Sequence, residues 1–284
     1  MRVVVTGAGG LAGEEVVAVL AKAGHEVIPK THKDLDITDT EGLKRLFAQS
    51  MPGWVVNLAA YTNVDACEDH EGIAYSINAK APGIMARLCR ERGIRLCHIS
   101  TDYVFDGKKA SPYTEDDIPN PLSVYGKSKL YGEREIERNL DQYLIIRTQW
   151  LFGPGGANFV ENIINLAREK GVLEVVDDQR GCPTYSRDLA SALVVLIEMG
   201  ATGIYNVSCS GDTTWFGLAK KAIDYAGLDT RVIPVDSKRF PRPAPRPKNS
   251  VLSKDKFTRL TGRKLPSWEN SLRQYIEDFL LSDV

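Results

Sequence analysis

A tyrosine and a lysine four positions apart are the residues of this sequence best placed to do chemistry together. Tyr125 and Lys129 lie in the segment SVYGKSKLYGE, residues 123–133. If the segment is helical, this spacing puts the phenol and the ammonium on one face. A nearby cation and the positive end of the helix dipole would both lower the phenol pKa from its usual value of about 10. The pair could then protonate an alkoxide, although the same spacing is common on helix surfaces.

A hydroxyl-bearing segment precedes this pair. Ser100 ends a predicted strand over residues 95–100, and Thr101 and Asp102 follow it directly. Open parallel sheets bind their ligands at the carboxyl ends of strands. We therefore expect Thr101 to hold a substrate carbonyl oxygen against the phenol of Tyr125.

A glycine-rich turn lies at the start of the chain. Gly7, Gly10 and Gly13 come directly after a predicted strand over residues 2–6 and open a predicted helix over residues 12–23. The first glycine permits a tight turn, the second lets backbone approach a pyrophosphate, and the third lets the helix pack on the strand. With the anion resting on the helix N-terminus, the pattern predicts a dinucleotide site.

The end of the second predicted strand bears on which dinucleotide is bound. It reads Lys30-Thr31-His32-Lys33, where NAD-preferring sites often carry an acidic residue that holds the ribose hydroxyls. A lysine suits a 2′-phosphate instead. Lys30 therefore favours NADPH, with NADH as the alternative.

Two further segments should line the same nucleotide site. Asp36 and Ile37 could flank the adenine. Ala59, Ala60 and Tyr61 follow the third predicted strand, where small residues let a backbone pass close to a dinucleotide.

Strands and helices must alternate to position these residues. Parallel strands need crossover connections, so strict alternation predicts a doubly wound parallel sheet of the Rossmann type, an α/β fold. The predicted strands span residues 2–6, 26–30, 54–58, 95–100 and 143–147, with later ones near 174–176 and 203–207, and the predicted helices span 12–23, 40–49, 71–92 and 123–139.

The pattern loosens after Gly153, which suggests a second, smaller unit. We expect residues 1–155 to form the dinucleotide-binding domain, completed by strands within 172–210. Residues 156–187 and 212–284 should form a substrate-binding lobe. The basic, proline-rich segment 238–248 is too broken by proline for a helix or inner strand and is expected to be an ordered loop of that lobe.

Composition excludes several classes of protein. The chain has 284 residues, 43% of them hydrophobic, and its 36 basic and 37 acidic residues leave a net charge of -1, which argues against nucleic-acid or membrane-surface binding. The amino terminus runs straight into a strand, and no apolar run is long enough to span a bilayer, so a soluble, cytoplasmic protein is expected. Five scattered cysteines should be reduced and mostly buried, and the four histidines form no metal-type cluster.

In these motifs the chain resembles the extended short-chain dehydrogenase/reductases and, within them, the dTDP-4-dehydrorhamnose reductases. The resemblance spans almost the whole chain in family order, and its central motifs are specific to this reductase group. It rests on the glycine turn, on NLAAYTNVD at 57–65, STDYVFDG at 100–107, YGKSK at 125–129, RTQWLFG at 147–153 and RGCPT at 180–184.

The resemblance also implies roles for individual residues. Tyr125 would be the proton donor, Lys129 its partner and a cofactor ligand, and Thr101 the hydroxyl that tunes the site. Substrate contacts would come from Thr101, Asp102 and Trp150. The cofactor would be lined by Gly10, Leu11, Ala12, Asp36, Ile37, Ala60, Tyr61 and Thr62.

The activity so implied is reduction of the C4 ketone of dTDP-4-dehydro-β-L-rhamnose to dTDP-β-L-rhamnose, by a monomer or a homodimer. A sugar-nucleotide dehydratase would need an Asp-Glu pair after the catalytic threonine, and here the pair is Asp102-Tyr103. A 4-epimerase uses the same tyrosine and lysine and stays open. So does a non-catalytic NADP-binding subunit similar to the regulatory subunit of methionine adenosyltransferase, which NADPH oxidation with a 4-keto sugar nucleotide would distinguish.

Three further residues have two interpretations each. Asn78 could hold a water on the central helix of this family or serve helix packing. Arg242 and Arg246 could clamp a diphosphate or belong to a solvated loop.

Overall fold

A computed structural model of the chain describes residues 1–280. The strands are β1 (Arg2–Thr6), β2 (Glu26–Lys30), β3 (Trp54–Asn57), β4 (Arg95–Thr101), β5 (Tyr143–Thr148), β6 (Leu151–Phe152), β7 (Val172–Val176), β8 (Arg180–Gly181), β9 (Thr184–Tyr185), β10 (Gly203–Asn206), β11 (Thr213–Thr214) and β12 (Arg231–Val235). The helices are α1 (Gly13–Lys22), α2 (Thr40–Ser50), α3 (Val64–Asp69), α4 (Glu71–Tyr75), α5 (Ala81–Arg92), α6 (Val124–Asn139), α7 (Phe159–Glu169), α8 (Ser186–Glu198), α9 (Trp215–Tyr225), α10 (Asp255–Thr261) and α11 (Trp268–Tyr275).

Six parallel strands form the central sheet in the order β10-β5-β4-β3-β1-β2. The order reverses between β1 and β3, which creates the crevice where doubly wound sheets bind their ligands. The predicted fold class is confirmed, and the first five predicted strands agree with the observed ones to within one residue at either end.

One predicted strand lies elsewhere. The segment near 174–176 becomes β7, which pairs in parallel with β12 in a separate two-stranded sheet, so only β10 of the later strands joins the central sheet. The reason is visible in its sequence. Residues of β7 alternate between exposed and buried, with Glu174 outward, whereas an inner parallel strand such as β5 is buried on both faces.

Helices cover both faces of the central sheet, as its apolar strands require. On one face the core contains Val3, Val5, Val16, Leu20, Leu189 and Leu193, from β1, α1 and α8. On the other it contains Val4, Leu43, Phe47, Met85, Leu88 and Ile136, from β1, α2, α5 and α6. A separate core joins α7, α9 and α11 to β7, with Ile163, Ile164, Leu173, Leu218, Ile223 and Leu272.

The long helix predicted over residues 71–92 is interrupted. Between α4 and α5 the segment Ser76–Lys80 is a π-helix, a wider turn that often occurs at functional sites. The backbone oxygen of Asn78 in this turn lies where a Cβ at position 132 of α6 would be, so Gly132 lets the two helices pack closely.

All five cysteines are free and buried. Within residues 1–280 no helix has the length and apolar character needed to cross a membrane. The same residues contain no group of three or more His, Cys, Asp or Glu side chains that could hold a metal ion.

Candidate active site

The glycine turn between β1 and α1 has the shape that its spacing predicts. Gly7 has a φ of +73°, and a Cβ there would lie 2.6 Å from the backbone nitrogen of Ala59. A Cβ at Gly13 would overlap the backbone oxygen of Gly7, whereas Gly10 has only that oxygen nearby, at 3.4 Å. No side chain among residues 1–280 caps the first turn of α1. The Gly13 and Glu14 N–H groups donate to the Gly10 carbonyl. A glycine at position 10, before a helix N-terminus without a side-chain cap, fits a dinucleotide pyrophosphate.

The tip of β2 lies beside this turn. The Ala8 N–H donates to the Lys30 carbonyl at 3.1 Å, and a Cβ at Gly9 would lie 3.4 Å from the Thr31 side chain. Thr31 donates its N–H and its hydroxyl to Asp34, and the side-chain hydrogen bond is the main cause of the lowered pKa of that carboxyl. Lys30 is therefore next to the predicted nucleotide site.

Asp36 and Ile37 are placed less directly. The Asp36 carboxylate accepts from the Thr38 N–H at 2.8 Å and from its hydroxyl at 2.7 Å, and these bonds lower the pKa of the carboxyl. Ile37 is buried in the core beneath β1 and β3. Their predicted contact with the adenine stays a prediction.

Asn78 positions the segment after β3. Its side chain accepts from the Tyr61 N–H at 2.8 Å, donates to the Tyr61 carbonyl at 3.0 Å and donates to the Ser128 hydroxyl of α6 at 3.1 Å. These bonds fix the residues around Ala60, Tyr61 and Thr62 against the helix of Tyr125. Asn78 thus hydrogen-bonds directly to the segment after β3 and to α6, which agrees with a role in helix packing.

Thr101 and Tyr125 come together as expected. Thr101 is buried at the end of β4, donates its hydroxyl to Asp102 at 3.0 Å and accepts from the Tyr103 N–H at 3.2 Å. Its side chain lies beside that of Tyr125 and favours the ionised form of the phenol. The ring of Tyr103 packs edge-on against that of Tyr125, with centroids 5.6 Å apart.

The electrostatics of Tyr125 differ from the prediction. Burial raises the pKa of its phenol above the ordinary value, and the Thr101 side chain only partly opposes this shift. The Lys129 amine is engaged elsewhere, since it donates to the Ile99 carbonyl at 2.6 Å and lies 3.2 Å from His98 Nε2. The expected lowering of the phenol pKa by Lys129 is therefore wrong for the protein without cofactor, where the phenol keeps its proton.

The helix α6 is held in place by residues that sequence reasoning missed. Glu68 of α3 accepts from the Val124 N–H at 2.8 Å, at the first turn of the helix. Further along, Arg147 of β5 makes two hydrogen bonds to Glu133, at 3.0 and 2.6 Å, and Ser100 donates to the same carboxylate at 2.5 Å. For Arg147 the sequence signal was a charged residue within the otherwise apolar strand β5, but this signal does not identify its partner.

Asp102 is buried beside Thr101. Burial raises the pKa of this carboxyl to about 7, although the hydrogen bond from the Thr101 hydroxyl opposes the shift. A perturbed carboxyl next to the candidate proton donor is typical of a functional site.

Trp150 lies at the junction with the second core. Its φ of 46° is unusual for a bulky residue and marks local strain. Its ring stacks on Trp215 with centroids 3.6 Å apart and planes 8° from parallel, and a Cβ at Gly181 would lie 2.5 Å from it. The ring is only half-buried, so it is available to a ligand.

Arg246 does not have a free guanidinium. It makes two hydrogen bonds to Asp65, at 2.7 and 2.9 Å, and a further one to the Ala244 carbonyl at 2.6 Å. Arg242 is largely exposed, with Nη1 3.8 Å from the same carboxylate. Arg246 is therefore paired with Asp65 rather than solvated. Its predicted contact with a diphosphate stays a prediction.

Comparisons with known proteins agree with this geometry. The family described as "RmlD substrate binding domain" matches residues 1–281. The chain is 42% identical to the spore coat polysaccharide biosynthesis protein SpsK of Bacillus subtilis, over 98% of this chain and 97% of that protein. It is 39% identical to a dTDP-4-dehydrorhamnose reductase of Mycobacterium tuberculosis, over 95% and 91% of the two chains.

Solved structures show the same relationship. A dTDP-4-dehydrorhamnose reductase from Clostridium acetobutylicum superimposes with a TM-score of 0.96 at 40% identity, over 99% of this chain and 100% of that one. A Bacillus anthracis dTDP-4-dehydrorhamnose reductase in complex with NADP gives 0.93 at 37% identity, over 98% and 99%. A UDP-glucose 4-epimerase from Thermus thermophilus, at 23% identity and a TM-score of 0.85, shares the fold. The chain belongs to the RmlD substrate binding domain family.

Proposed function

We propose that this protein is a dTDP-4-dehydrorhamnose reductase that reduces the C4 ketone of dTDP-4-dehydro-β-L-rhamnose to dTDP-β-L-rhamnose, with NADPH as cofactor and NADH as the alternative. The observation that carries the proposal is that Tyr125, one helical turn from Lys129 on α6, lies beside Thr101 at the carboxyl end of β4. Relatives named for this activity match nearly the whole chain.

The nucleotide end would hold the cofactor through backbone. Gly7 and Gly13 shape the turn and Gly10 would leave room for the pyrophosphate, with Leu11 and Ala12 at the helix N-terminus that receives it. Lys30 would meet the 2′-phosphate of NADPH. Behind the ribose and nicotinamide, the segment Ala59–Thr62 is held by Asn78. When bound, the cofactor supplies the hydride that reduces the ketone.

The catalytic end handles the proton. Thr101 and Tyr125 would share the ketone oxygen, and the Tyr125 O–H would pass its proton to that oxygen as negative charge develops there. Lys129 would contact the cofactor ribose and stabilise the tyrosinate left behind. Asp102 and Trp150 are the further substrate contacts of this proposal.

Tyr103 argues against the dehydratase alternative. It occupies the position of the glutamate that a dehydratase needs, and burial raises the pKa of its phenol, so that the phenol keeps its proton. A phenol that keeps its proton is a poor base for an elimination.

We also propose that residues 156–187 and 212–280 form a lobe that closes over the sugar nucleotide; residues 281–284, the last part of the predicted lobe, lie outside the described residues. Two contacts join this lobe to the candidate site and support the proposal. Trp215 of the lobe stacks on Trp150, and Arg246 of the lobe forms an ion pair with Asp65. A cytoplasmic location agrees with five free cysteines. A monomeric or homodimeric state stays a prediction.

The test replaces Tyr125 by phenylalanine and follows NADPH oxidation with dTDP-4-dehydro-β-L-rhamnose. We expect turnover to fall about 10²–10⁴-fold, the usual contribution of a general acid, with NADPH binding unchanged. Tyr131→Phe is the matched control, since this tyrosine lies on the same helix and is 46% exposed. Wild-type turnover by the Tyr125 variant would overturn the mechanism, and tight NADP binding without turnover by the wild type would support the regulatory-subunit alternative.

A further inference from the structure

A buried chain of hydrogen-bonding side chains runs behind Lys129. The Thr6 hydroxyl of β1 donates to Asn57 Oδ1 of β3 at 2.7 Å, Asn57 Nδ2 lies 3.0 Å from His98 Nδ1 of β4, and His98 Nε2 lies 3.2 Å from Lys129 Nζ. All four side chains are 2% exposed or less. The chain therefore links three strands of the central sheet to the helix of Tyr125 without access to water.

The orientation of the Asn57 amide is fixed by its neighbours. Its Oδ1 accepts from the backbone N–H of Ala59 at 3.2 Å as well as from Thr6. A backbone N–H can only donate, so this end of the amide must be the oxygen. The amide nitrogen then faces His98 Nδ1 and donates to it.

The proton of His98 is consequently on the other ring nitrogen. A neutral imidazole carries one N–H, and a ring nitrogen that accepts a hydrogen bond leaves the proton on its partner. Complete burial keeps the ring neutral, because it holds the pKa of His98 well below the ordinary value. The Nε2–H therefore points at the Lys129 nitrogen.

This contact distinguishes the two forms of Lys129. An ammonium has three N–H donors and no lone pair, so it cannot accept from His98. A neutral amine can accept from His98 Nε2–H and still donate to the Ile99 carbonyl at 2.6 Å. Only the neutral form satisfies both neighbours.

The nearby negative charge favours the ammonium form of Lys129, but its influence is smaller than that of burial. Glu133 lies one turn along α6 and its charge favours the ammonium. However, that carboxylate is bound by Arg147 of β5 and by Ser100 of β4. On the side of the π-helical turn, the uncharged Asn78 hydrogen-bonds to Ser128, the residue before Lys129. Burial is the largest influence, and it lowers the pKa of Lys129 to about 8.

We propose that His98 is a positioning residue that donates its Nε2–H to the amine of Lys129 and thereby stabilises the neutral form of this lysine in the cofactor-free protein. Its orientation is set by Asn57 and Thr6, which belong to the strands that flank the nucleotide crevice. The part that Lys129 plays in catalysis rests on the proposed function, but its protonation state and the tautomer of His98 do not.

The experiment is NMR on the full-length protein without cofactor. With ¹⁵N-labelled histidine, we expect His98 to show the neutral tautomer protonated at Nε2 at about pH 9, above the pKa of Lys129, where the neutral amine predominates. With lysine labelled at ¹³Cε, we expect one lysine, absent in Lys129→Met, to titrate with a pKa of about 8. In His98→Gln this pKa should rise by about one unit, a tenfold change in proton affinity, because a glutamine amide can turn its oxygen to the ammonium.

His32→Gln is the matched control, since His32 is exposed and should leave the lysine titration unchanged. The proposal is overturned if His98 carries its proton on Nδ1, or if His98→Gln leaves the titration of Lys129 where it is in the wild type. The tautomer is read on the wild-type protein, so the proposal stays testable if His98→Gln does not fold. Because neither measurement involves turnover, failure of the proposed reductase activity would not change these outcomes.

Discussion

The two ends of the candidate site differ in what defines them: backbone conformation at one end and buried side chains at the other. At the nucleotide end the shape comes from backbone, with Gly7 and Gly13 each placed where a Cβ would overlap another main-chain atom. At the catalytic end the properties come from buried ionisable side chains, among them Asp102, Lys129 and Glu133. A backbone shape is encoded by glycine spacing in one short segment. The electrostatic environment depends on side chains from several elements and exists only in the folded chain.

The catalytic end should be the more sensitive of the two to loss of a partner. We expect Arg147→Met to lower the free energy of unfolding by about 3–5 kcal/mol, because it leaves the Glu133 carboxylate buried and unpaired. Denaturant unfolding measures this change. The double variant Glu133→Gln/Arg147→Met should recover most of the loss, and a double variant as unstable as the single one would contradict this account. Arg138→Met removes an exposed ion pair on the same helix and should cost less than about 0.5 kcal/mol.

The nucleotide end should respond to added volume instead. We expect Gly13→Ala to cost about 2–3 kcal/mol of unfolding free energy, since its Cβ would overlap the Gly7 and Ala8 backbone, and to weaken NADPH binding. Unfolding and NADPH titration test both effects. Gly72→Ala is the control, because nothing lies within 4 Å of its Cβ position in α4. Equal effects of the two substitutions would show that backbone packing does not shape this end.

Asp102 should make the stability of the protein depend on pH. Its pKa is raised to about 7 from 3.8, so the folded state binds more protons than the unfolded state between these values, and the stability of the wild type falls as pH rises through them. At pH 8, Asp102→Asn should raise the free energy of unfolding by about 1–3 kcal/mol, since one pKa unit is worth about 1.4 kcal/mol. At pH 4 the gain should disappear.

The control is Asp106→Asn, because hydrogen bonds, chiefly from the Lys108 backbone, lower the pKa of Asp106. The pKa of Asp106 is lowered whereas that of Asp102 is raised, so the ionised Asp106 stabilises the folded state. Asp106→Asn should therefore be slightly less stable than the wild type at pH 8. If Asp102→Asn were also destabilising at that pH, the buried carboxylate would not carry the cost assigned to it.

Much of the fold could be predicted because its signals are local. Alternating apolar runs gave the sheet, glycine spacing gave the turn, and Ser123 gave the start of α6, where its hydroxyl accepts from the Gly126 N–H. The pairing of Tyr125 with Thr101 followed from the rule on strand ends.

The contacts of Lys129 and Arg246 could not be predicted. Lys129 binds Ile99 and His98, about thirty positions away, and the partner of Arg246 is Asp65, still more distant in sequence. Spacing within one segment carries no information about such partners. The same holds for β7, whose partner β12 lies in a later part of the chain.

The wide helical turn at Asn78 and the glycine that faces it on α6 are matched features. The backbone oxygen of Asn78 occupies the volume that any side chain at position 132 would need. A larger residue at Gly132 could be accommodated only after the turn had changed, and a regular helix there would leave a gap beneath a glycine with nothing to fill it. Because the atom in the way is a backbone oxygen, the constraint falls on position 132 whatever side chain stands at position 78.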